Sequence, residues 1–183
     1  MKKVVKILLI IIAILILACL VSIWISYNWL TVSDFTVTSS KVSEPFRMVL
    51  ISDLHDHQFG RNNEKLAEKI QEQSPDLIIM DGDMINGDSE NADTAVEVVR
   101  ALKEIAPVYY SYGNHEYAYM EAGHTDLQDE LEEAGAVVLN YQSIDLEVNG
   151  NPIRLGGLYE YGFETSMQSE EENERAVSYL EEY

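Results

Sequence analysis

The chain has 183 residues, 32 of them acidic and 12 basic, for a formal net charge of −20. Lys2, Lys3 and Lys6 all precede the first acidic residue, Asp34, so from Ser26 onward the balance is 9 − 32 = −23. A surface this acidic repels a phosphate backbone and argues against nucleic-acid binding, while a single cysteine, Cys19, excludes an intrachain disulfide and a thiolate zinc site.

The first element is apolar. Ile7 to Ile25 is a run of nineteen residues with one hydroxyl and no charge. As a helix at ~1.5 Å per residue it covers roughly 29 Å, the thickness of a bilayer core. Trp24, Tyr27 and Trp29 stand at its far end, where interfacial aromatics collect, and the three lysines flank its near end. The pattern predicts a transmembrane anchor over 7–25, with residues 1–6 as a basic cytoplasmic tail and the rest outside the cell membrane. Two alternatives compete. A cleaved signal peptide calls for a shorter apolar stretch and a small-residue exit. A lipoprotein box at Ile16 to Cys19 calls for polar sequence after the cysteine, and here the chain stays apolar. Residues 26–45 read as a connector, in which Thr31 to Pro45 is either a polar link or a first edge strand.

From Phe46 short apolar runs alternate with amphipathic stretches. The segment 46–52 reads as a strand. The segment 62–73 reads as a helix with Leu66 and Ile70 on one face and Pro75 as its stop. A buried strand follows at 76–80. The next helix, 94–105, opens with Thr94 and Glu97 in capping-box spacing and ends before Pro107. A third strand at 108–112 leads to a helix at 125–135, with Thr125 and Gln128 in the same spacing and Gly135 as its stop. A fourth strand at 136–140 precedes a hairpin about Asn149-Gly150. A final helix is expected from Ser169 to Tyr183. Strand and helix in alternation predict an α/β fold with a parallel sheet and helical crossovers.

In such sheets ligands gather at the carboxyl ends of the strands. Asp53 and His55 follow the first strand. Asp81, Gly82, Asp83, Asn86 and Gly87 follow the second. Gly113, Asn114, His115 and Glu116 follow the third. Each residue alone has a plain reading as a turn former, a cap or a surface histidine. Three successive strand ends carrying carboxylate, amide or imidazole groups point instead to one oxygen- and nitrogen-rich metal site of the Mn, Fe, Zn or Mg type. The segment from Asp81 to Glu90 resembles a calcium loop but fails in both registers: counted from Asp81, position five is Ile85 and position twelve is Ala92; counted from Asp83, position three is Ile85. No GxSxG, GxxxxGK[ST] or GxGxxG occurs.

The ordered triple DLH (Asp53–His55), GD (Gly82–Asp83) and GNHE (Gly113–Glu116) resembles the calcineurin-like metallophosphoesterases, in particular their membrane-anchored bacterial branch. The resemblance covers Phe46 to Leu158 and implies a layered sheet with flanking helices. It implies two divalent ions: Asp53 and His55 on the first, Asp83 bridging both, Asn114 on the second. His115 would stay off the metals and serve the leaving oxygen, and the nucleophile would be water activated between the ions. The substrate implied is a phosphoester, and the anchor favours a lipid-linked or envelope-derived one by proximity alone. This chain departs from the family pattern in having no histidine after His124, where such enzymes place further ligands. His124 reads as a loop or helix-entry residue and His57 as solvent-facing or a second-layer neighbour. The domain over 46–183 is therefore expected to be the N-terminal half of the fold, incomplete at its C-terminal end, with an exposed strand edge. Two functional expectations follow: a membrane-anchored dimetal phosphatase or phosphodiesterase, or a non-catalytic protein, either an inactive truncated remnant or an acidic cell-surface binding module.

Overall fold

The computed structural model describes residues 2–158 and 177–180. It divides into two compact units, Met1–Thr36 and Val37–Tyr183. In the first, α1 (Lys2–Asn28) is one unbroken helix, and its span Lys3–Asn28 is long and apolar enough to cross a membrane. Its apolar side chains point outward on every side, Ile10 and Leu15 among them, an arrangement that calls for an apolar surrounding. The Asn28 side chain donates to the Trp24 carbonyl and caps the last turn. Residues 29–45 form no strand, so the expected first edge strand is not there.

The second unit is built on a parallel sheet of β1 (Met48–Ile51), β2 (Leu77–Asp81), β3 (Val108–Ser111) and β4 (Ala136–Val138), in the order β1-β2-β3-β4. Each strand lies within a residue or two of its expected place. The register aligns Val49, Ile78, Val108 and Ala136 in one row, and Ile51, Met80, Tyr110 and Val138 two residues on. Side chains alternate faces along a strand, so these rows share one face. On it Ile78, Met80, Val108 and Tyr110 are fully buried. The intervening row, Leu50, Ile79, Tyr109 and Val137, lies on the other face, and there Leu50 is 58% and Val137 40% exposed. β1 and β4 are the two edges of this sheet.

The crossover helices α2 (Glu64–Gln71), α3 (Asp93–Leu102) and α5 (Leu127–Ala134) are shorter than their sequence patterns. α2 starts late because Asn62 and Asn63 both sit in the left-handed region. Neither expected capping box forms. Thr94 lies inside the first turn of α3 and is buried, and Asn91 Oδ1 takes the Asp93 N–H at 3.1 Å in its place. At α5 the Gln128 side chain turns forward to Glu132, 2.8 Å away. Gly135 does end α5 as expected, at φ 113°. One helix was not expected at all, α4 (Asn114–Glu121), which starts directly after β3.

β5 (Gln142–Val148) and β6 (Asn151–Gly157) form the expected antiparallel hairpin. Its turn places Asn149 and Gly150 at φ 49° and 78°, the left-handed pair that a two-residue hairpin turn requires. The buried Asn151 side chain ties the hairpin to the connector: its oxygen accepts Ser43 N–H at 2.8 Å and its amide donates to the Glu44 carbonyl at 2.8 Å. The expected terminal helix from Ser169 falls largely outside the described residues; 177–180 are helical.

Candidate metal centre

A parallel sheet delivers the loops after β1, β2 and β3 to one edge, and all three loops interlock there. The backbone N–H groups of Asp53, His55 and Asp56 donate to the carbonyls of Gly82, Asp83 and Met84, at 3.2, 3.0 and 2.9 Å. This ladder extends the β1–β2 pairing beyond the strands in a tighter form. Asp53, His55, Asp56 and Asp83 all carry φ between 48° and 58°. That region costs an ordinary residue roughly 1 kcal/mol. The loops after β2 and β3 approach so closely that a Cβ on Gly82 would sit 2.3 Å from the Gly113 nitrogen, and one on Gly113 would sit 2.3 Å from Asp83 Oδ1. Only glycine fits either place.

Glu116 holds the arrangement from beneath. It is the third residue of α4 and fully buried. Its Oε2 accepts the N–H groups of Asp83 and Gly113 at 2.8 and 2.9 Å, and its Oε1 accepts the Met84 N–H at 2.9 Å and the Tyr110 hydroxyl at 2.7 Å. Four donors satisfy a carboxylate that would otherwise be costly to bury. Burial, reinforced by the neighbouring Glu116 charge, pushes the Tyr110 phenol well above its usual range and keeps it a donor.

Within this frame, donor atoms of His55, Asp83 and His115 lie within 4.8 Å of one another. The imidazoles of His55 and His115 meet edge to face, with ring centres 4.6 Å apart. Asp83 Oδ1 accepts the His115 N–H at 2.9 Å. Asp53 stands 3.8 Å from His55, measured from Oδ1 to Nε2. This is too long for a hydrogen bond but within the ~4.2 Å that two donors on one ion can span. An open cleft of about 350 Å³ lies here, lined by Ser52, Asp53, Asp81, Asp83, Tyr112, Gly113 and Leu158. Asn114 is the first residue of α4, half-buried and next to Gly113.

The remaining two histidines stand apart from that cluster. His124 lies in the turn before α5 and stacks on Tyr119, ring centres 4.0 Å apart, as a helix-entry residue would. His57 is half-buried and packs edge-on against Phe59.

Four residues have roles that reasoning from the sequence did not assign. Glu116 is the hub just described. Its signal was available, since a glutamate three residues after Gly113 reads as half of a capping box. Asp56 accepts from the backbone and side-chain nitrogens of Asn86 at 3.0 Å each and from the Ser89 hydroxyl, and so shapes the loop after β2. Asn86 in turn contacts His55 Nδ1 at 3.2 Å. Asp81 adds a third carboxylate to the cleft lining.

The sequence pattern of the calcineurin-like phosphoesterases matches residues 46–177. The chain belongs to that family. Among curated proteins it is 28% identical over 114 residues to the uncharacterized metallophosphoesterase YkoQ of Bacillus subtilis, covering 61% of this chain and 42% of that one. It is 30% identical over 117 residues to the phosphodiesterase YaeI of Escherichia coli, covering 62% and 43%. The uncharacterized protein YpbG of Bacillus subtilis matches at 25% over 131 residues, 72% and 48%. The chain thus spans less than half the length of each of these relatives. Its α/β sheet with flanking helices agrees with the family fold, and the family implies divalent metal ions. The donors at the sheet edge suit such ions: carboxylates and imidazole, with no thiolate.

Proposed function

We propose that this chain carries metal-binding residues of a phosphoester hydrolase, held at the cell membrane by α1, with its N-terminus cytoplasmic and residues 46–183 outside. The observation that carries the reading is the meeting of His55, Asp83 and His115 at the carboxyl edge of the parallel sheet. Asp53 and His55 would hold a first divalent ion, Asp83 would be shared, and Asn114 would serve a second. Bound ions would supply Lewis-acid polarisation of the phosphoryl oxygens and an activated water.

The chain's own residues do the rest. Asp53, Asp81 and Asp83 make the cleft anionic, so a phosphate enters only when cations stand between it and these carboxylates. His115, whose ring meets that of His55 edge to face, would serve the leaving group as a proton donor. Glu116 and Gly113 keep the Asp83 carboxylate in place. The phosphodiesterase named among the relatives favours phosphodiesters over monoesters as first substrates to try. The membrane helix favours a lipid-linked or envelope phosphoester.

The purified chain in detergent, loaded with Mn²⁺, is expected to hydrolyse bis-p-nitrophenyl phosphate, to lose that activity to a chelator, and to lose at least 100-fold with Asp83→Asn. No hydrolysis with any divalent ion would remove the reading. A second reading, metal binding without turnover, is favoured by the openness of the site, where the Asp53 side chain is 66% exposed. Calorimetry separates the two: two tightly bound ions per chain speak for the enzyme, one weak ion for the binding module.

A further inference from the structure

We infer that the loop pair Asn86-Gly87 sets His55 and His115 in opposite neutral tautomers, making the first a metal ligand through Nε2 and the second a proton donor through Nε2–H. The inference rests on the reading of the site given above and adds two positioning groups to it.

Asn86 is held by two acceptors. Its Nδ2 donates to the His55 carbonyl at 3.2 Å and to Asp56 Oδ2 at 3.0 Å. Both partners only accept, so the amide has one sensible orientation, with Oδ1 toward His55. Oδ1 lies 3.2 Å from His55 Nδ1, and an amide oxygen cannot donate. The proton of neutral His55 is therefore on Nδ1, and Nε2 presents a lone pair on the side of Asp53, 3.8 Å away. An imidazole whose far nitrogen donates to a fixed acceptor is the usual form of a metal-bound histidine.

The next residue has the reverse polarity. The Gly87 backbone N–H donates to His115 Nδ1 at 3.0 Å, and a backbone N–H can only donate. His115 Nδ1 must hold its lone pair there, which leaves the proton of the neutral ring on Nε2. For His115 to bind a metal through Nε2, that proton would have to move to Nδ1 and oppose the Gly87 N–H. The three-residue cluster of His55, Asp83 and His115 is thus chemically divided: two ligands and one donor. One acceptor and one donor, adjacent in sequence, assign different roles to two rings 4.6 Å apart.

The test is long-range ¹H–¹⁵N correlation on the metal-free full chain in detergent, ¹⁵N-labelled at histidine, at pH ~9 where imidazoles are neutral. His57→Gln and His124→Gln in the same chain leave two rings to observe. One Nδ1–H and one Nε2–H ring are expected; two Nε2–H rings overturn the inference. Asn86→Leu is expected to return His55 to Nε2–H and weaken Mn²⁺ binding by about 10–100-fold. Weaker binding in Asn86→Leu with the His55 tautomer unchanged would show a merely structural role and also overturn it. Opposite tautomers in a chain that hydrolyses nothing would uphold this inference and remove the proposed function. Metal-dependent hydrolysis with two Nε2–H rings would do the reverse.

Discussion

The fully buried carboxylate of Glu116 accepts the backbone N–H of Asp83 at 2.8 Å, across 33 residues of sequence. This contact makes Asp83 a fixed point, because the same oxygen also holds Gly113 from the next loop. Glu116→Gln keeps the shape but turns an NH₂ toward donors. It is expected to destabilise the chain by ~2–4 kcal/mol, with at least two donors left unpaired. Urea unfolding with and without Mn²⁺ measures it; an unchanged midpoint would show that the hub is dispensable.

Gly113 answers to the same crowding from the other side. In Gly113→Ala the new methyl would lie 2.3 Å from Asp83 Oδ1. The carboxylate must swing away or the loops must part, at ~1–3 kcal/mol. Mn²⁺ affinity, followed by electron paramagnetic resonance, is expected to fall at least tenfold. Affinity within a factor of about two would mean that Asp83 is not a ligand.

The division between ligands and donor predicts a kinetic split at His115. His115→Gln is expected to lower kcat by about 10²–10⁴-fold while Mn²⁺ affinity stays within about threefold. A collapse of metal binding would place His115 among the ligands and Gly87 in the wrong role.

Alkaline pH provides an independent check on the core. The Tyr110 phenol is held well above its ordinary value by burial and by Glu116, and Tyr112 is raised in the same sense, chiefly by burial. The folded chain keeps these protons where the unfolded chain, with tyrosines near 10, gives them up. Above pH ~10 the folded state binds more protons, so stability falls as pH rises; below ~10 this contribution is complete. Urea midpoints are expected to drop steadily from about pH 10 upward. Tyr112→Phe should flatten that decline at little loss near neutrality, because the buried Tyr112 hydroxyl has no hydrogen-bond partner among the described residues. A decline as steep in Tyr112→Phe as in the native chain would contradict this.

The strands and the hairpin were legible because local apolar runs and the Asn149-Gly150 dipeptide encode them directly. Helix α4 was not. Its sequence, Asn114 to Glu121, has four tyrosine, alanine or methionine positions, consecutive and in no 3.6-residue stripe, and its start is fixed by Glu116. Capping-box spacing misled at Thr94 because the spacing rule is blind to burial, and Thr94 is turned inward. At the candidate site, the meeting of His55, Asp83 and His115 could be anticipated from their places after strands. The work of Asn86 could not, since it depends on a contact with His55 that spans 31 residues and exists only once β1 and β2 lie side by side.

The left-handed backbone at Asp53 sets durability against chemistry. Asp53 has φ 56° and a side chain 66% exposed, so it carries conformational strain without the compensation of burial. Glycine would relieve that strain, and Asp53→Gly is expected to unfold at a higher urea concentration than the native chain, by ~1 kcal/mol, while losing the carboxylate that faces His55. The turn is thus less durable than its backbone alone would allow, and what it holds in exchange is a negative charge opposite His55.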